Sequence, residues 1–392
     1  GIFAVESAVN ELAEKLHMDP VVLREKNMTK EGGRFIGYDG GTEVTSCALD
    51  RCVAKVKEMI GWDEKYPRKQ VSGSKVRGVG LAMAMQGSAI SGVDVASVCM
   101  KVNDDGFYSL MIGASDMGTG CDTTLAQVAA ECLGCDLDDI VVYGTDTDIS
   151  PYDSGSYASS TAYLTGMAVV KTCETLKKKI LHKAAKYLEC SEDELEFDGR
   201  RVYRVSCEED GSRKEITIKD IGNRIMCSNE DALQATESHS SPVSPPPFMA
   251  GAAEVEVDTE TGKVELLRFV AAVDCGTPLN INLARVQTEG GLAQGIGMAL
   301  YEDVTYSDTG RVYENSFMQY KVPSRLDVGR VQVEFESSFE PTGPFGAKSI
   351  GEVVINTPSP AIANAVYNAV GVRIRELPIT AEKVFKGMNG LD

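Results

Sequence analysis

The chain is 392 residues long, with 43% hydrophobic and 25% charged residues, ordinary globular values that exclude a disordered polypeptide and suggest two or three domains. Its 39 Lys and Arg against 58 Asp and Glu give a net charge of −19, a surface that repels phosphate backbones and argues against nucleic-acid partners. There is no apolar run of about 18 residues and no basic-then-apolar start, so a cytoplasmic protein with no membrane partner is expected.

The chain opens in helical stride. Ile2, Phe3, Val5, Ala8, Val9, Leu12 and Leu16 follow helical spacing and predict an apolar face that needs a covering neighbour, from a segment or separate chain upstream. Asp19-Pro20 caps a second short helix, and a third is expected over 46–60. The breaker-rich stretch 62–78 reads as a boundary. Strands follow at 93–102 and 107–113 around a turn at 103–106, then a glycine loop, a helix over 122–132, a strand at 140–143 and a long helix over 161–188. Residues 228–248 read as a proline-stiffened loop ordered against the body, or as a linker. A second hairpin, 253–257 with 264–272, precedes another loop and a helix carrying Gln287 and Gln294. A last helix begins near Pro360.

The scheme occurs twice. GASDMGTG at 113–120 and AAVDCGTP at 271–278 place Asp116, Gly118 and Thr119 in step with Asp274, Gly276 and Thr277, and Gln127 and Gln287 follow in the next helices. Hairpin, D-x-G-T loop and helix read as a duplicated subdomain in an α+β fold, preceded by a short helical segment. Two such halves facing each other would bring two helix N-termini together, which suits a phosphate-bearing ligand.

Eleven cysteines, an odd number scattered through apolar segments, suit reduced thiols. Cys132 and Cys135 form a CxxC with no second CxxC or nearby His, so buried structural thiols are favoured over a metal or redox site. Three separate histidines leave little for a zinc centre or a Ser-His-Asp triad. In PTGPFGAKSIGE, Gly343, Gly346 and Gly351 surround one carboxylate, Glu352, and the apolar run Val353, Val354, Ile355 follows. Partial desolvation there would suit Glu352 to general-base work; the alternative is a turn glutamate in solvent. MGTG at 117–120 and QGIGM at 294–298 are weak alone. The hydroxyls of DSGSYASST could meet a phosphate or a pterin edge, or simply cap the long helix.

Together, GASDMGTG, DSGSYASS, AAVDCGTPLN, QTEGGLAQGIG, PTGPFGAKSIGE and GVRIRELPIT resemble, in order and spacing, the molybdopterin-binding large subunit of the xanthine dehydrogenase / aldehyde oxidase family of molybdenum hydroxylases. The resemblance covers essentially the whole chain. It implies that 1–75 close a first molybdopterin-binding domain and that 76–392 form a second, in halves of about 76–230 and 250–392. It implies Glu352 as the catalytic base and Gln294 as a pterin contact. It further implies a cofactor loop at Gly118, Thr119 and Gly120, where many members carry Gln in place of Thr119, and a pterin- and phosphate-wrapping segment at Ala158, Ser159, Ser160 and Thr161. Lys348 and Gly351 belong to the same cofactor motifs, and no residue ligates the metal.

The implied cofactor is molybdenum with molybdopterin, in the cytosine dinucleotide form. Iron–sulfur clusters and FAD are implied on partner subunits, and the upstream half of the molybdenum subunit on another chain. The implied reaction is hydroxylation of an electron-poor carbon of a small molecule, a purine or other N-heterocycle, with water as oxygen source. Aldehyde oxidation and a non-catalytic scaffold are the alternatives.

Overall fold

The computed structural model describes residues 1–35, 42–67, 70–207 and 211–391. Two N-terminal helices, α1 (Ile2–Lys15) and α2 (Pro20–Asn27), come first, and the Asp19 carboxylate caps the second by accepting from the Val21 N–H at 2.7 Å. Short strands β1 (Arg34–Phe35) and β2 (Thr42–Glu43) pair before α3 (Leu49–Ile60), α4 (Trp62–Lys65), β3 (Gln70–Ser72) and the long β4 (Lys75–Met85). Then come β5 (Ala96–Val102), β6 (Tyr108–Ile112), α5 (Cys121–Leu133), β7 (Ile140–Gly144) and α6 (Thr161–Leu188). A small sheet of β8 (Leu195–Phe197), β9 (Arg201–Arg204) and β10 (Glu215–Thr217) leads to α7 (Ile218–Met226) and β11 (Gln234–His239). The chain closes with β12 (Phe248–Asp258), β13 (Val264–Asp274), α8 (Ile281–Leu300), β14 (Arg330–Phe335), α9 (Pro358–Val370) and α10 (Ala381–Asn389). Among the described residues no helix is long and apolar enough to cross a membrane.

These elements form two compact units that do not follow chain order. The first holds 1–86, 245–339 and 350–392; the second holds 87–244 and 340–349. No unit boundary falls in 62–78, two of whose positions, 68 and 69, lie outside the described residues. Trp62 there is buried and stacked on Tyr66, because the breaker-rich letters surround an aromatic anchor.

The first unit is built on the sheet β14-β13-β12-β4-β3. Strand alternation gives it two apolar faces. Val79, Leu81, Phe248, Ala250, Ala252, Val270 and Ala272 meet α3 on one side. Met249, Ala253, Phe269, Ala271 and Val273 share the other core with α8 and α9. Close seating of α9 requires glycine in β4: a Cβ on Gly80 would lie 2.3 Å from the Ala361 carbonyl oxygen.

The second unit has the sheet β11-β5-β6-β7, with α5 and α6 packed on it. Strand β11 lies in the stretch read from sequence as loop. QATESH is polar by letter, yet it pairs with β5 from Gln234↔Lys101 to His239↔Ala96. Cross-strand hydrogen bonding made it a strand where local hydropathy gave no sign.

The duplication is explicit in topology. In each unit an antiparallel hairpin (β5–β6; β12–β13) is followed by a helix (α5; α8) that crosses to a parallel strand (β7; β14) beside the second hairpin strand. A further antiparallel strand flanks each hairpin on its first strand: β11, which follows α6 in the chain, and β4, which precedes β12. The α+β reading with a repeated hairpin–loop–helix element therefore holds.

His239 ends β11 with 9% exposure and, among the described residues, no hydrogen-bond partner for either ring nitrogen. Burial, helped by the Lys171 ammonium, pushes its imidazole down to about 4. The folded state thus holds a neutral ring, and the unfolded chain binds the proton first as pH falls below the ordinary value of about 6.5. The stabilisation is whole above pH 6.5 and is lost as pH drops toward 4, a change of about 3 kcal/mol. In urea titrations across that window, His239→Leu should show a shallower loss of second-unit stability than wild type. Equal slopes would mean that another group sets the acid limb.

Candidate functional site

In the second unit, two helix N-termini lie at one edge of the sheet. Thr175 Oγ1 donates to Glu237 at 2.9 Å and Lys179 Nζ to the Gln234 carbonyl at 2.8 Å, so α6 runs antiparallel to β11 and starts beside the β11 end. The crossover helix α5 starts at the same edge, where a Cβ on Gly144 would sit 3.1 Å from the Asp122 carboxylate. The N-cap residues Gly120 and Ser160 offer no side-chain acceptor to either helix. First-turn N–H groups at a shared edge fit a phosphate-bearing cofactor.

The loop before α5 is folded around Asp116. Its carboxylate accepts from the Gly118 N–H at 2.9 Å, the Gly120 N–H at 3.1 Å and the Asp122 N–H at 3.5 Å. Burial pushes the Asp116 carboxyl up, but these backbone donors together outweigh it and hold it below the usual range. Gly118, at φ +100° with open space where a Cβ would be, suits a turn and a close approach. The Thr119 hydroxyl hydrogen-bonds the Cys121 thiol, which burial pushes up to about 11. Thr119 is thus turned onto its own loop. Asp116, Cys121 and Asp122 are the only trio of metal-capable side chains found together among the described residues. Burial and then the Asp116 charge push the Asp122 carboxyl up.

Before α6, Ala158 (φ 51°) and Ser159 (φ 54°) are consecutive left-handed residues, a conformation that costs of order 1–3 kcal/mol each and gathers at ligand clamps. The loop is pinned from below. The Ala89 N–H, itself left-handed at φ 66°, donates to the Ala158 carbonyl at 3.0 Å, and the Tyr157 hydroxyl donates to Asp94 at 2.5 Å. Ser160, expected to face the ligand, is buried and donates its hydroxyl to the Gly155 carbonyl at 2.7 Å, so it holds the loop's shape. Thr161 Oγ1 donates to Ser156 Oγ at 3.0 Å. Ser159 and Thr161 stay half-exposed. Lys348 is buried, at 2% exposure.

In the first unit, the turn that follows Glu352 packs against α8, the helix that carries Gln294. Gly291 and Gly295 on α8 admit the single turn Val353–Ile355: a Cβ on Gly291 would lie 2.2 Å from Val354 Cγ2, and one on Gly295 would lie 2.8 Å from the Ile355 carbonyl oxygen. These glycines serve helix–turn packing. Gln294, next to Gly295, is exposed. The desolvation expected of Glu352 is not realised: Gly351 and Glu352 are exposed, while Val353 and Val354 turn inward. A tight 3-10 turn sends successive side chains to different sides, so an adjacent apolar run did not bury its neighbour. Gln86 Nε2 donates to Glu352 Oε2 at 3.4 Å, a long contact that sequence reading missed because Gln86 merely ends an apolar strand. Asn356 Nδ2 donates to the Glu352 carbonyl at 3.2 Å.

The second copy of the D-x-G-T loop has a different use. Asp274 is fully buried and accepts from the Ala48 N–H at 2.8 Å, the Gly276 N–H at 2.9 Å and the Ser338 hydroxyl at 2.7 Å. One copy of the motif closes a surface loop; the other ties three segments of the first unit.

The chain is similar to known proteins along almost its whole length. The family model described as a molybdopterin cofactor-binding domain matches residues 55–329. A protein named probable hypoxanthine oxidase XdhD from Escherichia coli K12 is 34% identical over 99% of this chain and 41% of its own length. The xanthine dehydrogenase molybdenum-binding subunit of Escherichia coli O157:H7 is 32% identical over 98% of this chain and 52% of its own. The solved Cu,Mo-CO dehydrogenase superposes with a TM-score of 0.83 at 26% identity, over 99% of this chain and 51% of that one. The chain thus spans about half the length of the relatives it matches. By motif order, duplicated topology and family match, it belongs to the molybdopterin cofactor-binding domain family of the molybdenum hydroxylases.

Proposed function

We propose that the chain is the cofactor-holding, base-bearing part of a molybdenum hydroxylase that oxidises an electron-poor carbon of a purine or other N-heterocycle, with water as oxygen donor. The carrying observation is Glu352, an exposed carboxylate set on a turn that α8 is shaped to hold, with an amide donor beside it. A pure scaffold would not need a carboxylate there. When bound, the molybdenum–pterin group supplies the two-electron chemistry. Glu352 accepts the proton at its carboxylate oxygen, and Gln294 and the Gly351 backbone orient the pterin. Gly118, Thr119 and Gly120 offer backbone contacts. Ala158, Ser159 and Thr161 wrap the phosphates, Ser160 keeps that loop in shape, and Lys348 supports the cofactor motif from its buried position. The names of the relatives favour a purine; aldehyde oxidation is the second reading, from a 29% identical aldehyde oxidoreductase subunit of Escherichia coli O157:H7.

Residues 1–75 read as the end of a first cofactor domain and 76–392 as a second. The partner supplying the upstream half has apolar surface to cover: Val5, Leu12 and Leu16 of α1 are exposed, as are Phe317 at 87% and Leu326 at 94%. Iron–sulfur and FAD subunits would take the electrons, the pterin would carry a cytosine nucleotide, and eleven cysteines held as thiols suit the cytoplasm. The test is purification with those partners, assay of molybdenum and of nucleotide released by acid, and turnover of hypoxanthine, nicotinate and benzaldehyde. Stoichiometric molybdenum, released CMP and fastest turnover of hypoxanthine are expected. A complex without molybdenum, or an isolated chain that turns over any of the three, would sink the reading.

A further inference from the structure

Gln86 is the first residue past β4, and the first unit fixes where its backbone lies. Met85 pairs with Phe248 at the last register position between β4 and β12, and the Gln86 N–H donates to the Pro247 carbonyl at 3.3 Å. Pro245, Pro246 and Pro247 are buried and stiffen the segment that accepts this bond. Glu352 is carried on fixed backbone as well, because its carbonyl accepts from Asn356 and Val354 is seated against Gly291. Gln86 stays half-exposed and Glu352 exposed, so a small molecule can reach both.

The amide has one orientation at this place. An ionised carboxylate only accepts, so it draws an N–H: Gln86 Nε2 donates to Glu352 Oε2 at 3.4 Å. That bond uses one of the two amide hydrogens. The second hydrogen and Oε1 form a donor and an acceptor side by side, and among the described residues this side chain makes no other hydrogen bond.

We propose that Gln86 is a specificity-determining residue that pairs with a lactam edge of the substrate, a ring N–H next to a ring carbonyl. This role rests on Glu352 being the base, as proposed above, and names the substrate class of that same site. The ring N–H would donate to Gln86 Oε1, and the ring carbonyl would accept from Nε2. Because the same amide is tied to the base, a heterocycle paired in this way is held with its carbon beside Glu352. An aldehyde has a carbonyl but no neighbouring N–H, so it would leave Oε1 without a donor. A site built around such an edge rejects a ligand that leaves it unpaired. Glutamine suits the position: a lysine or arginine would pair with Glu352 as an ion, a carboxylate would repel it, and the amide offers donor and acceptor without charge.

The test is Gln86→Met in the assembled enzyme, where the side chain keeps its length and loses both polar atoms. Gln86 also holds Glu352, so turnover of hypoxanthine and benzaldehyde should both fall, but kcat/KM for hypoxanthine should fall about tenfold further, chiefly through KM. Uric acid keeps lactam edges and has no C–H left to oxidise, so calorimetry reads its binding without turnover. Its Kd should rise about tenfold in Gln86→Met at wild-type molybdenum content. Gln86→Glu keeps an oxygen, loses the donor and adds like charge beside Glu352, so it should bind uric acid no better than Gln86→Met. A merely structural role would lower both substrates in one proportion and leave the Kd for uric acid unchanged. With wild type active on hypoxanthine, that result overturns the role of Gln86 and leaves the proposed reaction standing. Wild type that turns over benzaldehyde, and neither turns over hypoxanthine nor binds uric acid, overturns the purine reading and the role of Gln86 with it.

Discussion

Glu352→Gln should lower turnover about 10²–10⁴-fold in the assembled enzyme while molybdenum content stays at the wild-type level. The amide has nearly the same shape, and the backbone around it is fixed by other contacts: the Asn356 bond to the Glu352 carbonyl, and Val354 seated against Gly291. What is lost is the oxygen that takes a proton. Because the carboxylate is exposed in this chain, the fold does not depend on its charge, and thermal unfolding of the variant should match wild type. A fully metallated variant that keeps more than about a tenth of the rate removes Glu352 from the role of base.

Arg24→Met should destabilise the first unit by about 3–5 kcal/mol, the largest stability effect expected of a single charged-residue change here. Arg24 is almost fully buried. Its guanidinium pairs with Glu6 at 2.8 Å and donates to Asn10 Oδ1 at 2.9 Å and to the Pro20 carbonyl at 3.0 Å, while the same Glu6 carboxylate accepts from the Met83 N–H at 2.8 Å. Removal of the cation leaves Glu6 charged in the interior and Asn10 short of a donor. The chain has one tryptophan, Trp62, buried in this unit with its indole N–H on Asp19, so its fluorescence reports this unit's unfolding in urea. Glu6→Leu combined with Arg24→Met should recover part of the loss, because no buried charge is then left alone. A shift below about 1 kcal/mol for Arg24→Met would show that water reaches the cluster and replaces the guanidinium.

The same cluster shows where local reading of the chain ends. Helical spacing at residues 2–16 predicts α1 correctly and marks an apolar face that needs cover from outside, but gives no sign of the polar face that is buried. In the fold, Glu6 and Asn10 point inward to Arg24, and Val5, Leu12 and Leu16 point outward. Periodicity reports that a face exists; which face is buried depends on Arg24, eighteen residues away from Glu6. The extent of α6, its start at Thr161 and end at Leu188, was legible because helix-forming residues repeat with no proline and with Gly166 as the single interruption. Strand β11 was not, because QATESH acquires its strand character from pairing with β5.

For the site, the amino-acid order alone determined the motifs: the two D-x-G-T loops, the 158–161 segment, Gln294 on its glycine-bearing helix, and Glu352 after Gly351. Short-range chemistry of this kind is written in neighbouring letters. Only the tertiary structure decided what each motif does. Asp116 closes a surface loop while its counterpart Asp274 is buried under Ala48 and Ser338. Ser160 turns into its own loop, and Glu352 stays in solvent with Gln86 beside it. Burial and hydrogen-bond partners are set by residues far apart in the chain that packing brings together, and no window of sequence contains both members of such a pair.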